Sequence, residues 1–213
     1  MKRKILIATT NPGKIAELRA MLDLDIEWLG LSEFGDIDEI EEDSTTFAEN
    51  ARKKAAGYAK ATGLWTIADD SGLVIDALGG TPGVKSARFS GEKSKGDDKN
   101  LIDHRNIAKV LELLKGVPTE KRTAKFVCCL CLASPERILI ETEGTLEGLI
   151  TDREIGENGF GYDPIFFVPH LDKTVAQLTS EEKNAISHRG NAIRKLRPIL
   201  DKLLQKTCGK TTG

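Results

Sequence analysis

No run of apolar residues in this 213-residue sequence is long enough to cross a bilayer. The opening segment Met1-Lys2-Arg3-Lys4-Ile5-Leu6-Ile7-Ala8 turns polar before a signal-peptide core could form, so a cytoplasmic protein without membrane association is expected. Charge of one sign is lacking as well. Lys and Arg number 31 against 33 Asp and Glu, a formal net charge of −2, which gives no broad attraction for a polyanion and argues against a nucleic-acid partner. Cysteines number four, without metal-ligand spacing. Cys128, Cys129 and Cys131 lie in Phe126-Val127-Cys128-Cys129-Leu130-Cys131-Leu132, which reads as a buried strand, and Cys208 lies in a polar tail. They are expected to act as small hydrophobes in a reducing compartment. The phosphate-loop pattern G-x-x-x-x-G-K-[ST] is missing, and no cysteine or acid stands beside His188 to make a nucleophilic triad.

What is present describes a folded chain, with 39% hydrophobic and 30% charged residues. Its length allows one core, or two lobes sharing one sheet. We expect a single domain over 1–205 and a frayed tail over 206–213. Lys4 to Ala8 predicts a strand, Thr9 to Lys14 a turn, and Ile15, Leu18, Met21 and Leu22 an amphipathic helix with Pro12 in its first turn. Thr46 and Glu49 predict a capping box, and Gly63 ends the helix they start. Trp65 to Ala68 reads as a strand that stops at Asp69-Asp70-Ser71-Gly72 before Leu73 to Ile75 resumes. Ile107, Val110, Leu111 and Leu114 mark a further helix; Gly91 to Lys99 reads as a surface excursion. Strands follow over 122–133, 138–143 and 145–150, the last two joined through Gly144. A last helix carries Ile193, Leu196, Leu200 and Leu203, with Pro198 placed to bend it. The fold class is α/β.

Several segments could carry chemistry. Thr9-Thr10-Asn11-Pro12-Gly13-Lys14 offers backbone N–H groups and a lysine at a helix start, which suit phosphate oxygens; a plain capped helix with Lys14 in water is the other reading. Asp69 and Asp70 repel unless a cation or hydrogen-bond donors hold them. Magnesium, which needs few protein oxygens, fits, with a second acid from Glu41, Glu42 or Asp43; a hydrogen-bonded turn fits equally. Phe160-Gly161-Tyr162-Asp163 pairs two aromatic rings with a permissive glycine and could cover a purine, or could form a buried aromatic corner. Lys183, His188 and Arg189 gather donors for an anion or a carbonyl.

Together, Thr9 to Lys14, Phe47-Ala48-Glu49-Asn50-Ala51 with Lys54, Ala68 to Gly72, Pro82 to Arg88, Gly159 to Pro164 and Ser187-His188-Arg189-Gly190 closely resemble the inosine triphosphate pyrophosphatase, or Ham1-like, family across most of the chain. The resemblance implies a long mixed β-sheet with flanking helices, two lobes around an active-site cleft, and a homodimer. It implies Mg2+-dependent hydrolysis of ITP, dITP and XTP to the monophosphate and pyrophosphate. Thr9, Thr10, Asn11, Pro12, Gly13 and Lys14, with Lys54, would hold the triphosphate; Glu41 and Asp70 the magnesium. Asp70 would also accept the proton of the attacking water, and Ser71 would touch substrate. Phe160, Gly161, Tyr162, Asp163, Lys183, His188 and Arg189 would form the base pocket. Two features depart from the family pattern: Lys93 to Ile102 reads as a small insertion, and Thr10 stands where glycine is common. A pyrophosphatase for modified pyrimidine nucleotides and a nucleotide-binding sensor without turnover are the alternatives.

Overall fold

A computed structural model of the chain describes residues 2–35, 37–91 and 98–208. Among the described residues, seven strands form one mixed sheet in the order β2-β1-β3-β4-β5-β6-β7. They are β1 (Arg3–Ile7), β2 (Ile26–Gly30), β3 (Trp65–Ile75), β4 (Thr123–Ala133), β5 (Ile138–Ile150), β6 (Phe166–Val168) and β7 (Lys173–Thr174). Strand β1 runs parallel to both β2 and β3, whereas β5 with β6 and β6 with β7 are antiparallel. The helices are α1 (Pro12–Met21), α2 (Phe47–Thr62), α3 (Lys99–Leu113), α4 (Ser180–Ile186) and α5 (His188–Cys208).

The chain divides into two compact units. Unit 1 comprises residues 1–70, 128–144 and 188–213, and unit 2 comprises 71–127 and 145–187. In unit 1, Ile5 and Ile7 of β1, Ile67 of β3 and Cys128, Leu130 and Leu132 of β4 pack with Leu18 of α1 and Ile193, Leu196 and Leu200 of α5. The three cysteines of β4 are free and buried, as the apolar flanks predicted. Unit 2 has its own core, in which Leu73, Ile75, Phe126, Leu146, Ile150 and Phe166 meet Ile107 and Val110 of α3 and Leu114 just after it. Burying such side chains is worth about 1.5–3 kcal/mol each, which fixes the strand ends and helix starts that carry polar groups.

Local chemistry sets most element ends. Asn11 caps α1, Thr46 caps α2 by accepting from the Glu49 N–H, which is one half of the expected capping box, and Gly63 closes α2 at φ 71. Three expectations change. The strand from Trp65 does not stop at the acids, because β3 runs unbroken to Ile75 and Asp69 and Asp70 lie inside it. Strand β5 likewise continues through Gly144 as one element. A Cβ on Gly144 would stand 2.2 Å from the His188 carbonyl oxygen, so the glycine admits the α5 backbone against the strand instead of making a turn. Helix α5 contains Pro198 and reaches Cys208, into the segment expected to fray. Most of the excursion before Lys99, the Lys93–Asp97 part of the insertion and residues 209–213 lie outside the described residues; Lys99 to Ile102 begin α3.

Candidate active site

Unit 1 assembles its polar groups around β3. Alternation along a strand sends consecutive side chains to opposite faces, which separates Asp69 from Asp70 and gives each its own partners. Asp69 is fully buried. Its Oδ1 lies 2.6 Å from Lys14 Nζ, and its Oδ2 accepts from Arg189 Nε at 2.7 Å and from the Cys128 thiol at 3.2 Å. Burial opposes its charge, but Arg189 and Lys14 outweigh that effect and hold the carboxyl well below the usual range. Arg189 Nη1 also donates to Glu17, three residues after Lys14 on α1. The result is a group of two cations and two anions in which Asp69 and Arg189 are buried and Lys14 and Glu17 partly exposed.

Asp70 is in the opposite situation. It is 5% exposed, its nearest ion-pair partner is Lys54 Nζ at 3.8 Å from Oδ1, and its Oδ2 has no hydrogen-bond partner among the described residues. Burial pushes its pKa up, against the pull of Lys54 and Lys14, while Glu42 raises it further. A buried carboxylate oxygen without a donor is the kind of ligand a hard cation completes, so the residues present fit magnesium. Such a group is also a better proton acceptor than an ordinary aspartate.

Helix α2 organises the acidic loop before it. Asn50 Oδ1 accepts from the Ser44 N–H at 3.0 Å, Tyr58 Oη accepts from Ile40 N–H at 3.3 Å, and Lys53 pairs with Asp43 at 2.5 Å. Lys54 Nζ donates to the Asp69 carbonyl at 2.8 Å and meets Glu42 at 2.9 Å. Glu42 is therefore the acid tied to the Asp70 neighbourhood through Lys54, while Glu41 is exposed.

At the start of α1, Asn11 Oδ1 accepts from Gly13 N–H at 3.0 Å and from Lys14 N–H at 3.4 Å; Thr9 Oγ1 accepts from Asn11 N–H at 3.2 Å. Thr10 and Pro12 are exposed. The turn is a capped helix start, yet Lys14 does not point into water: its side chain is 15% exposed and turned to Asp69.

Unit 2 holds the aromatic loop. Asp163 Oδ2 accepts from Phe160 N–H at 2.9 Å and from Lys183 Nζ at 2.5 Å, and Lys183 Nζ lies 4.3 Å from the centroid of the Phe160 ring. Tyr162 is buried and donates its hydroxyl to the Ser86 carbonyl at 2.8 Å.

The sequence model of the Ham1 family matches residues 5–199. This chain belongs to the Ham1 family. Among relatives of the Ham1-family chain, a Bacillus subtilis protein named dITP/XTP pyrophosphatase is 48% identical over 202 residues, covering 93% of this chain and 98% of the relative. A protein of the same name from Geobacter sulfurreducens is 49% identical over 198 residues, covering 92% and 96%. Solved structures agree: a Ham1 protein of Staphylococcus aureus is 44% identical with a TM-score of 0.81, covering 94% of this chain and 99% of that one. A HAM1 protein from Coxiella burnetii is 42% identical with a TM-score of 0.82, over the same shares.

The expected site residues of this Ham1-family chain thus fall into two sets. Thr9 to Lys14, Lys54, Asp70, Glu41, His188 and Arg189 belong to unit 1, and Ser71, Phe160 to Asp163 and Lys183 to unit 2. Ser71 is half-buried in β3, and His188 is buried at the first position of α5. Glu17 was not singled out from the sequence, and Asp69 and Glu42, read there as acids for a cation, were not expected to pair with Lys14, Arg189 and Lys54. Glu17 carried a signal, since it follows Lys14 by one helical turn, whereas the Asp69–Arg189 pair spans 120 residues and left none.

Proposed function

We propose that the chain hydrolyses deaminated purine nucleoside triphosphates, ITP, dITP and XTP, to the monophosphate and pyrophosphate, as a cytoplasmic homodimer that requires magnesium. The observation that carries the reading is Asp70, a buried carboxylate with a raised pKa and one oxygen without a hydrogen-bond partner among the described residues, beside a carboxylate paired with Lys14. Support also comes from relatives named dITP/XTP pyrophosphatase that match nearly the full chain.

Lys14, with Thr9, Thr10, Asn11, Pro12 and Gly13, takes the triphosphate. Asp70 receives a proton from the attacking water as a phosphorus–oxygen bond between the α- and β-phosphates breaks and pyrophosphate leaves; no covalent enzyme intermediate is needed. Magnesium would be held by Asp70 with Glu41 or Glu42, and when bound supplies positive charge against the phosphate oxygens. Lys54 acts chiefly on the acids, because its ammonium already reaches the Asp69 carbonyl, Glu42 and Asp70. Phe160 covers the base, with Gly161, Tyr162, Asp163 and Lys183 shaping its loop, and Ser71 touches substrate.

His188 donates to a 6-oxo group, an assignment that adenine, with an amino group there, cannot satisfy. Buried unpaired groups cost about 1–3 kcal/mol, roughly ten- to a hundredfold per contact. Arg189, expected in the same pocket, orients Asp69 from its buried position.

A substrate panel tests the reading. With magnesium, ITP, dITP and XTP should yield monophosphate and pyrophosphate at least about tenfold more efficiently than ATP or GTP. Equal rates on all five, or orthophosphate as the product, would refute it. Sedimentation tests the dimer.

A further inference from the structure

We propose that Asp103, outside every segment that carried the family resemblance, is a positioning residue that holds the Phe160–Asp163 loop in the shape that receives the base. The inference rests on the reading that this loop covers the purine. Asp103 stands on α3, whose Ile107 and Val110 are buried in the unit 2 core, so its carboxylate is presented from a fixed platform. Its Oδ2 accepts from the Gly161 N–H at 2.8 Å. Lys99, one turn earlier, lies 3.7 Å from the same oxygen and 4.6 Å from the Phe160 ring centroid.

Each loop residue is therefore anchored differently. Phe160 N–H is held by Asp163, which Lys183 also meets, and the Tyr162 hydroxyl is held by Ser86. The Gly161 amide is held by Asp103. That glycine has φ 63, a left-handed conformation, and its peptide plane joins it to Phe160. Once the Asp103 bond is lost, that plane can rotate and carry the aromatic ring with it. Asp103 meets the Gly161 amide and Lys99, both beside the base-covering loop, so its removal should affect base binding and spare the chemistry.

Asp103→Ala and Asp103→Asn, made in the full chain, separate the outcomes. Asparagine keeps an acceptor for Gly161, whereas alanine does not. Hydrogen exchange at the Gly161 amide, read by NMR, should accelerate about tenfold or more in Asp103→Ala and stay near wild type in Asp103→Asn. KM for ITP should rise about five- to tenfold in the alanine variant with kcat within about twofold, and asparagine should restore most of the loss. Inhibition by inorganic tripolyphosphate, which has no base, should not change. Unchanged Gly161 exchange, a fall in kcat with KM constant, or asparagine as impaired as alanine would overturn the proposal. Should wild type fail to cleave ITP or XTP, the functional reading falls alone, because the exchange result still decides whether Asp103 holds the loop.

Discussion

Lys14 of α1 and Asp69 of β3 form an ion pair at 2.6 Å in which the carboxylate side chain is fully buried. The lysine expected to meet phosphate is thus aimed by an acid that also takes Arg189. Breaking a buried pair by removing one partner leaves charge without compensation, at a cost of about 3–5 kcal/mol. Asp69→Asn should therefore lower unfolding stability by that amount in urea titrations. Combining it with Arg189→Met should recover part of the loss, since the two side chains share one interaction. An Asp69→Asn protein within about 1 kcal/mol of wild type would show that the pairing contributes little.

Lys54 should behave differently from Lys14. Its ammonium is directed at the Asp69 carbonyl, Glu42 and Asp70. Lys54→Met should lower kcat by about tenfold or more with KM for nucleotide changed less than about threefold, because an acid-orienting cation is lost and not a phosphate contact. Lys14→Met should instead raise KM. Steady-state kinetics of the two variants side by side distinguishes the roles; a matching rise in KM for both would place Lys54 on the phosphates.

The β4 thiols should be silent at ordinary pH. Burial pushes Cys129 and Cys131 up to about 12, and raises Cys128 well above its usual value with help from Asp69. A raised pKa keeps the neutral thiol, so at pH 8 only about one Cys129 or Cys131 in ten thousand would be thiolate. Mass-spectrometric mapping after a thiol reagent at pH 8 should find these three unmodified in the folded protein and modified in denaturant. Rapid native labelling at Cys129 would contradict the burial.

Much of this was legible in the residues. The two ends of α2 were written in Thr46 and Gly63, and the start of α1 in Asn11 and Pro12, because capping is local chemistry. The unbroken course of β3 through Asp69-Asp70-Ser71-Gly72 was not, since turn-rich composition competes with strand pairing that only the sheet supplies. Gly144 misled for a related reason: its small size serves close approach by α5, a partner over forty residues away along the chain. In the candidate site, the motifs marked Lys14 and Asp70 as residues to examine, and the structure gives each a charged neighbour. The pairing of Asp69 with Arg189, the tie from Lys54 to Glu42, and the Asp103 bond to Gly161 depend on tertiary packing.

Asp70 bears the heaviest claim, and Asp70→Asn tests it with one pair of numbers. Because its buried charge lacks a full set of partners, the variant should fold at least as stably as wild type. With magnesium and ITP, turnover measured by pyrophosphate release should fall by about a thousandfold, while the Kd for ITP by calorimetry stays within about threefold. A variant that binds ITP and still turns it over near the wild-type rate would contradict Asp70 as the proton acceptor.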